Sequence, residues 1–414
     1  MLALVISGEA IFFLPFVIAR IFRPTLLEVF RITNFELGLA FSAYGVVAMM
    51  AYFPGGPLAD AFSPRKLMAA ALSSTAAGGL AMAMIPGFNA LKWLYAFWGL
   101  TSILLFWAAM IRATRQLGGV DSSGTAFGLL DGGRGLVAAA SGTMGVMIFA
   151  SLLPDDVQSA TLAQRTHAFQ QVILVFAAIT LAAAALVWFA IPNRFDRPST
   201  RTVVTWTGVG KVITMPTVWL QAFMIVCAYV AYKGLDDLSL YAKEVLLYDE
   251  VSAAYTSNIS MWVRPVAAVT AGLVADRVGV SLMTAISFAV IVVGCLVIAT
   301  GVLQPGMASV FFLTMIATSA AVFALRGLYF AIMQEGEVPL AYTGTAVGFV
   351  SAVGYTPDIF MGPLMGKLLD DSPGALGHQH LFAAIAVFAS VGFAATLAYR
   401  YAALRRDVRA DCQN

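Results

Sequence analysis

Long apolar runs without an ionisable side chain alternate with short polar segments along this chain. Stretches such as 37–59, 67–91 and 93–111 approach or exceed the ~20 residues that a helix needs to cross the ~30 Å hydrocarbon core of a bilayer. The longer stretch at 278–325 is divided by Gln304-Pro305-Gly306, a sequence that breaks a helix. The pattern predicts twelve membrane-spanning helices, near 1–22, 36–57, 66–86, 92–113, 124–153, 168–191, 214–241, 252–274, 281–303, 307–333, 340–365 and 379–403.

The composition agrees with a membrane protein. Of the 414 residues, 60% are hydrophobic and 11% are charged, whereas soluble domains carry roughly 25% charged residues. The net charge of +2, without a basic stretch, gives no indication of nucleic-acid binding. The three cysteines match neither a disulfide framework nor a metal site, and no phosphate-binding loop or nucleophile motif occurs. We therefore expect a protein that is not an enzyme and that uses no cofactor or metal.

The loops predict the topology of the chain. Because no basic segment precedes Glu9, the opening run is interpreted as a retained first helix and not as a signal peptide. Lys and Arg favour one set of loops about two to one, which predicts that both termini are cytoplasmic. The longest polar connection, at 193–213, is basic and contains proline, so it is predicted to be a cytoplasmic linker. It would join one six-helix bundle at 1–192 to a second at 214–404, followed by a cytoplasmic tail at 405–414.

A short motif occurs twice, at positions separated by about half the chain length. "GGPLAD" ends at Asp60 and "AGLVAD" ends at Asp276, and each follows an even-numbered predicted span. Gly56 and Gly272 would let neighbouring helices approach closely. A carboxylate such as that of Asp60 can accept hydrogen bonds from the exposed N–H groups that begin another helix. Paired halves of this kind are typical of secondary transporters, whose substrate sites lie near the bilayer midplane.

The two motifs resemble the loop signature of the major facilitator superfamily. Gly56-Pro57-Leu58-Ala59-Asp60, followed by Arg65-Lys66, is similar to the copy between the second and third spans, and 272–279 is similar to the copy between the eighth and ninth. The resemblance implies an all-α membrane protein of twelve spans in two six-helix bundles. It also implies a cytoplasmic gate that includes Gly56, Asp60, Arg65, Gly272, Asp276 and Arg277. Because Ala61 and Ser63 stand where the family has Arg and Gly, the first copy is expected to close this gate less strongly.

Ionisable side chains within spans are candidates for function, because they are unfavourable there unless they pair or line a wet cavity. Arg264 lies near the middle of the eighth predicted span, with no acid within one turn of its own helix. Either a substrate carboxylate or an ion pair with another helix would satisfy it. The same alternatives apply to Arg326. Arg20, near the end of the first span, either binds substrate or extends to the lipid headgroups.

The stretch "AYVAYKGLDDLSLY" at 228–241 places aromatic and charged residues around a glycine. Lys233 and Asp237 are spaced i, i+4 and so share a helix face. A glycine between charged residues indicates local unwinding, which occurs where backbone lines a cavity. We predict that Tyr229, Tyr232, Lys233 and Asp237 form a substrate-facing gate, the alternative being a simple outer helix end.

Three carboxylates are candidates for proton coupling. Glu9 and Asp358 are predicted to be the better carriers, since an isolated buried carboxyl group can take up and release a proton near neutral pH. Asp358 follows Pro357, so it alternatively shapes a helix break. Asp131 is the third candidate. It is spaced i, i+3 from Arg134, and pairing within that helix would make it structural.

Together these features predict a secondary active transporter of a small organic anion or zwitterion in the inner membrane. It would be a monomer with three partners: the solute, protons and the lipid bilayer. "SPRK" at 63–66 is similar to the Asn-Pro-Arg of organophosphate and related organic-anion porters, but the absence of Lys from the second span disfavours a phosphate ester. One alternative is a drug or lipid exporter of the same fold, and another is a sensor that binds a ligand without transport. The predicted substrate-binding residues are Arg264, Lys233, Arg20, Arg326, Tyr229 and Tyr232.

Overall fold

The computed structural model describes residues 1–118, 123–192, 213–329, 331–334 and 343–411. Side chains are described throughout these ranges except at 60, 115, 118, 123–128, 334, 343–345 and 403–411. The predicted linker at 193–213 therefore lies almost entirely outside the described residues, as do the last three residues of the predicted tail.

The first part of the chain is helical, and two of its spans contain wider, π-helical turns. Its elements are α1 (Leu2–Ala10), a π-helical segment (Phe13–Val17), α2 (Ile18–Ile21), α3 (Arg23–Phe30), α4 (Asn34–Ala61), α5 (Pro64–Ala83), α6 (Phe88–Gly99), a second π-helical segment (Leu100–Trp107), α7 (Ala108–Gly118), α8 (Ser123–Ser151), a 3₁₀ turn (Val157–Ser159) and α9 (Leu162–Ala190).

The second part is helical as well, with a break in the spans that begin at Pro216 and Thr343. Its elements are α10 (Pro216–Gly234), a 3₁₀ turn (Leu235–Asp237), α11 (Leu238–Glu244), α12 (Glu250–Val278), α13 (Val280–Ala299), α14 (Ala308–Leu328), a 3₁₀ turn (Ala331–Gln334), α15 (Thr343–Gly354), α16 (Pro357–Asp371) and α17 (Ala375–Asp411).

Local sequence signals set several of these boundaries. Thr33 begins α4 with a capping box, in which its hydroxyl accepts from Glu36 N at 3.1 Å and its own N–H donates to the Glu36 carboxylate at 3.0 Å. Thr161 and Gln164 repeat this arrangement at the start of α9. Gly279 separates α12 from α13 with a φ of 94°, a left-handed conformation that favours glycine.

Helices occupy all twelve predicted spans. Within the described residues, nine helices are long and apolar enough to cross a membrane, or ten if the bent pair Leu2–Ala10 and Phe13–Ile21 is one span. The third predicted span is α5, which begins with Arg65 and Lys66 and is otherwise rich in small residues. The eleventh is divided between α15 and α16. The all-helical architecture is therefore the one that the hydrophobic pattern predicts.

The described residues form two compact units. The first contains the described residues of 1–201 together with Asp236–Pro265 and Asp358–Gly374. Aromatic rings fill its core, including Phe22 against Phe149 with ring centroids 5.2 Å apart. The second contains the described residues of 202–235, 266–357 and 375–414. The predicted division at 193–213 into two six-helix bundles stays a prediction.

Small residues bring the helices of the second unit into close contact, as is usual in membranes. Gly392 of α17 leaves room for the ring of Phe288 from α13. Gly294 of α13 likewise faces the side chain of Thr318 from α14. In both places the ring or hydroxyl occupies the space that a larger residue would need, so the glycine sets the distance between the helices.

Candidate functional site

Glu9 lies at the centre of a buried charge cluster in the first unit. The residue is 4% exposed, on α1. Its two carboxylate oxygens contact guanidinium groups from two different helices. Arg134 Nε of α8 lies 3.2 Å from Oε2, and Arg264 Nη1 of α12 lies 3.5 Å from Oε1. Glu9 therefore has cationic partners, in contrast to the isolated carboxyl group assumed from the sequence.

Arg264 contacts carboxylates from two helices other than its own. Besides Glu9, its Nη2 lies 3.3 Å from Oδ1 of Asp131, whose side chain is 48% exposed. The Arg264 side chain is 9% exposed. The four residues Glu9, Asp131, Arg134 and Arg264 form what we call the Glu9 cluster, with two acids and two arginines. Its exposed edge is Asp131, and its buried centre is Glu9.

Glycines and aromatic rings position the two arginines. A Cβ on Gly135 would lie 3.2 Å from Cγ of Arg264, so the absence of a side chain at Gly135 provides the space that the Arg264 side chain occupies. Gly8 does the same for Arg134, whose Cδ would be 3.1 Å from an added Cβ. The Arg134 guanidinium also lies 5.5 Å from the ring centroid of Phe12, a cation–π distance. These contacts hold each guanidinium in one place.

A second ion pair joins Arg20 to Asp236. Arg20 Nε lies 2.5 Å from Oδ1 of Asp236, with side chains 9% and 5% exposed. The hydroxyl groups of Ser239 and Ser257 each donate to the backbone oxygen of Arg20 at 3.0 Å. The bent backbone after α2 makes that oxygen available. The Arg20 guanidinium thus points at a carboxylate of the same unit. Asp237, which follows Asp236 in the chain, is fully buried.

The start of α4 is held by a carboxylate that the sequence did not single out. Asp370 of α16 accepts from the N–H of Asn34 at 3.2 Å and from the N–H of Phe35 at 2.7 Å. Asn34 accepts from Arg23 Nη2 at 2.9 Å. The helices meet closely because Gly38 lies against the backbone of Gly362. We call this arrangement the Asp370 cap.

A further ion-pair group of the first unit involves Arg165. Its Nη1 lies 2.9 Å from Glu28 Oε1 and 3.1 Å from Glu250 Oε1. Lys243 Nζ lies 2.7 Å from the same Glu250 oxygen. The sequence did not single out these residues, because nothing in their spacing shows which loops meet.

The second unit contains a cluster of rings and cations. Arg326 Cζ lies 3.9 Å from the ring centroid of Tyr232, and Lys233 Nζ lies 5.7 Å from that of Tyr229. Tyr229 also packs edge-on against Tyr355, at 5.1 Å between centroids. Four residues predicted to bind substrate, Arg326, Lys233, Tyr229 and Tyr232, are thus brought together. Tyr355 was missed, because it is distant in sequence and lies between α15 and α16.

The predicted gate residues lie near helix ends. A Cβ on Gly56 or Gly272 would meet nothing within 4 Å, so no described helix approaches either glycine closely, in contrast to the expectation from the sequence. Arg65 Cζ lies 4.8 Å over the ring of Trp188. The side chain of Asp60 is outside the described residues, and Asp276 and Arg277 are exposed in the last turns of α12.

Asp358 lies in the first turn of α16, where it is half-buried. Its backbone packs against Gly45 of α4, with the carbonyl oxygen 2.5 Å from the position of a Cβ on that glycine. Among the residues that the structure describes, no group of three or more His, Cys, Asp or Glu side chains is suited to holding a metal ion.

The sequence of this chain is similar to those of known membrane proteins. Residues 5–356 match the sequence profile of the Major Facilitator Superfamily. Two Escherichia coli (strain K12) proteins are similar over most of their length. Inner membrane protein YqcE is 25% identical over 384 residues, which cover 91% of this chain and 88% of YqcE. Inner membrane protein YihN is 24% identical over 398 residues, which cover 94% of this chain and 92% of YihN.

Solved structures show the same fold at low sequence identity. The nucleoside transporter NupG has a TM-score of 0.70 at 15% identity, with 96% of this chain and 98% of NupG covered. A bacterial homologue of the human lysosomal transporter Spinster, in an inward-facing and unoccupied conformation, has a TM-score of 0.72 at 14% identity, with 97% of each chain covered. The chain therefore belongs to the major facilitator superfamily.

Proposed function

We propose that this chain is a proton-coupled secondary transporter of a small organic anion, in which Arg264 binds the anion and Glu9 carries the proton. The observation that supports this proposal is the shared carboxylate of Glu9, which contacts Arg134 at 3.2 Å and Arg264 at 3.5 Å. A buried acid that compensates two buried cations is a site where a change of charge has a large effect.

The coupling follows from the charge of the Glu9 cluster. A proton on Glu9 would remove the negative charge that Arg134 and Arg264 share. A buried guanidinium without an anion is strongly unfavourable. Asp131 compensates Arg264 only weakly, because an exposed carboxylate is hydrated and screened. A carboxylate or similar group of the solute would then complete the pairing of Arg264, so protonation and anion binding favour each other.

The remaining predicted residues have roles in the same proposal. Lys233, Arg326, Tyr229 and Tyr232 of the second unit are further candidates for binding the solute, as is Arg20 of the first unit. Asp358 and Asp131 are further proton carriers. Asp237 and the paired motif residues, including Asp60 and Asp276, open and close the transporter during alternating access. The protein is a monomer in the inner membrane, with both termini in the cytoplasm.

A thermal-shift panel of small anions is the first test, since a ligand that binds only the folded state raises the melting temperature. The panel contains carboxylates, sugar acids, sulfonates and phosphates, with neutral sugars and lipophilic cations for comparison. We expect stabilisation by one anion class, lost in Arg264→Gln. The matched control is Arg165→Gln, because Arg165 also pairs with two acids but lies outside the Glu9 cluster. Stabilisation by lipophilic compounds alone would favour the exporter.

Proton coupling is tested in proteoliposomes loaded with a pH-sensitive dye. The anion from the panel should acidify the lumen with the wild-type protein. Glu9→Gln should abolish acidification but retain exchange of labelled for unlabelled anion. Anion uptake at the same rate with and without a pH gradient would contradict proton coupling. Binding of the anion without any flux would favour the alternative of a sensor that binds a ligand without transport.

A further inference from the structure

We infer that the rings around Tyr355 select anions that carry a ring over open-chain anions of the same charge. This inference rests on the proposed function, and it concerns a cluster in the second unit that includes Phe323 and Tyr355, neither of which the sequence motifs indicate. We call the rings of Tyr229, Tyr232, Phe323 and Tyr355 the aromatic corner.

Two pairs of rings in the aromatic corner meet at steep angles, whereas Tyr229 and Tyr232 are tilted by 43°. Tyr229 and Tyr355 have centroids 5.1 Å apart and an interplanar angle of 65°. Tyr232 and Phe323 have centroids 6.3 Å apart at 68°. Two rings at such an angle form a corner. A flat molecule in it can lie against the face of one ring and direct its edge at the other, as aromatic pairs prefer.

A cation lies beside the corner at a distance suited to a compact ligand. Lys233 Nζ is 5.7 Å from the Tyr229 ring centroid. A carboxylate bound to this ammonium group would have the rest of its molecule within reach of Tyr229 and Tyr355. Arg326, 3.9 Å from the centroid of Tyr232, already covers one face of that ring. Lys233 lies farther from the Tyr229 ring than Arg326 lies from the Tyr232 ring, so the Tyr229–Tyr355 pair is the part of the corner that we expect a ligand ring to contact.

The position of Tyr355 is fixed by its neighbours. A Cβ on Gly354 would lie 2.5 Å from Cγ2 of Ile225, so this glycine brings the end of α15 against α10. Ile225 and Tyr229 are one helical turn apart and share that face of α10. The N–H of Tyr355 also donates to the backbone oxygen of Ser351 at 3.0 Å. The corner is thus preorganised, which favours affinity for a rigid ligand.

Part of the surface of this cluster is exposed. Tyr229, Tyr232, Arg326 and Tyr355 are neither fully buried nor fully exposed. Ionisable side chains within membrane spans face the bundle interior or a water-filled cavity and not the lipid. The partly exposed ring edges next to Arg326 and Lys233 are therefore in the region that a polar solute reaches.

The test uses matched pairs of anions that differ in the ring. Glucuronate and gluconate both have six carbons and one carboxylate, but only glucuronate closes a sugar ring. Benzoate and hexanoate form a second, apolar pair. Dissociation constants are measured for purified full-length protein by thermal shift and by calorimetry. We expect the ring member of at least one pair to bind more tightly in the wild-type protein.

Variants of Tyr355 separate ring contact from packing. Tyr355→Leu should reduce the ratio between the open-chain and ring dissociation constants by roughly three- to tenfold. Tyr355→Phe keeps the ring, so it should keep the preference and shows that loss of the hydroxyl is not the cause. Tyr401→Leu is the matched control, because Tyr401 is 56% exposed at the far end of α17.

The outcomes distinguish this inference from the proposed function. Equal binding of the two members of each pair, or a ratio unchanged in Tyr355→Leu, overturns ring selection while anion binding stands. Tighter binding of the ring member, with a ratio that falls in Tyr355→Leu but not in Tyr355→Phe or Tyr401→Leu, supports ring selection. If none of the four carboxylates stabilises the protein while a sulfonate or phosphate does, ring selection among carboxylates fails and anion binding stands. If no anion of the whole panel stabilises the protein, the anion assignment fails, and ring selection fails with it.

Discussion

Asp370 caps the helix that begins at Asn34. Its two carboxylate oxygens accept from successive backbone N–H groups, those of Asn34 and Phe35, at 3.2 and 2.7 Å. A carboxylate in this position satisfies exposed donors of the first turn and complements the helix dipole. Asp370 and Asn34 are 336 residues apart in the chain, so this contact forms only when α4 and α16 pack together in the folded protein.

Removing the cap should loosen the start of α4. Asp370→Ala deletes the acceptor of both N–H groups, and loss of such a cap costs about 0.5–2 kcal/mol. We expect faster amide hydrogen exchange at Asn34 and Phe35, measured by mass spectrometry on the purified protein. Asp371→Ala is the control, since Asp371 has a 63% exposed side chain and pairs with Lys367, at 3.7 Å, in the same helix. Equal acceleration in both variants would contradict the assignment of the cap to Asp370.

The two halves of the Glu9–Arg134 pair should be coupled energetically. Removing one partner of a buried ion pair costs about 3–5 kcal/mol, because the other charge stays buried without compensation. Glu9→Ala and Arg134→Ala should each lower unfolding stability by about this order, whereas the double variant should lose less than their sum. The measurement is denaturant unfolding in detergent micelles. If the two single losses of stability add up to the loss in the double variant, the contact at 3.2 Å contributes little to stability.

Gly135 should be needed for the position of Arg264. A Cβ there would lie 3.2 Å from Cγ of Arg264, and a larger side chain would displace the guanidinium. We expect Gly135→Val to weaken binding of the stabilising anion by about tenfold or more, with calorimetry as the measurement. Gly132→Val is the matched control on the same helix, since a Cβ at Gly132 meets nothing within 4 Å. Equal affinities in the two variants would mean that Arg264 tolerates displacement.

The crossing of α4 and α16 should not tolerate a side chain at Gly38. An added Cβ would collide with the backbone of Gly362, which cannot rotate away as a side chain can. Gly38→Ala should therefore destabilise the protein by about 1–3 kcal/mol, the usual cost of overpacking. Gly348→Ala has open space for its Cβ and should be neutral or slightly stabilising. Thermal unfolding of both variants is the measurement, and a neutral Gly38→Ala would show that the helices separate easily.

The sequence predicted the fold better than it predicted the contacts. Helices lie at the predicted spans, and nine or ten of them, within the described residues, are long and apolar enough to cross a membrane. The paired motifs at Asp60 and Asp276 indicated the superfamily, and the predicted fold class is confirmed. The partners of Glu9 and Arg264 could not be predicted, because hydropathy locates a helix without fixing its rotation about its axis. Asp370 was overlooked for a related reason: it stands at a helix end, where a carboxylate is ordinary unless the helix opposite is known.

The π-helical segment at Phe13–Val17 sets how the two ends of the first span are rotated relative to each other. It lies between Glu9 and Arg20, so each charged residue belongs to a regular helix on a different side of it. A π-helical turn accommodates one more residue than an α-helical turn, and one residue corresponds to a rotation of about 100°. Deletion of a single residue from this segment would turn Glu9 away from Arg134 while Arg20 kept its orientation toward Asp236. The extra residue therefore sets the rotation of Glu9 relative to Arg20, so that one span makes two separate ion pairs.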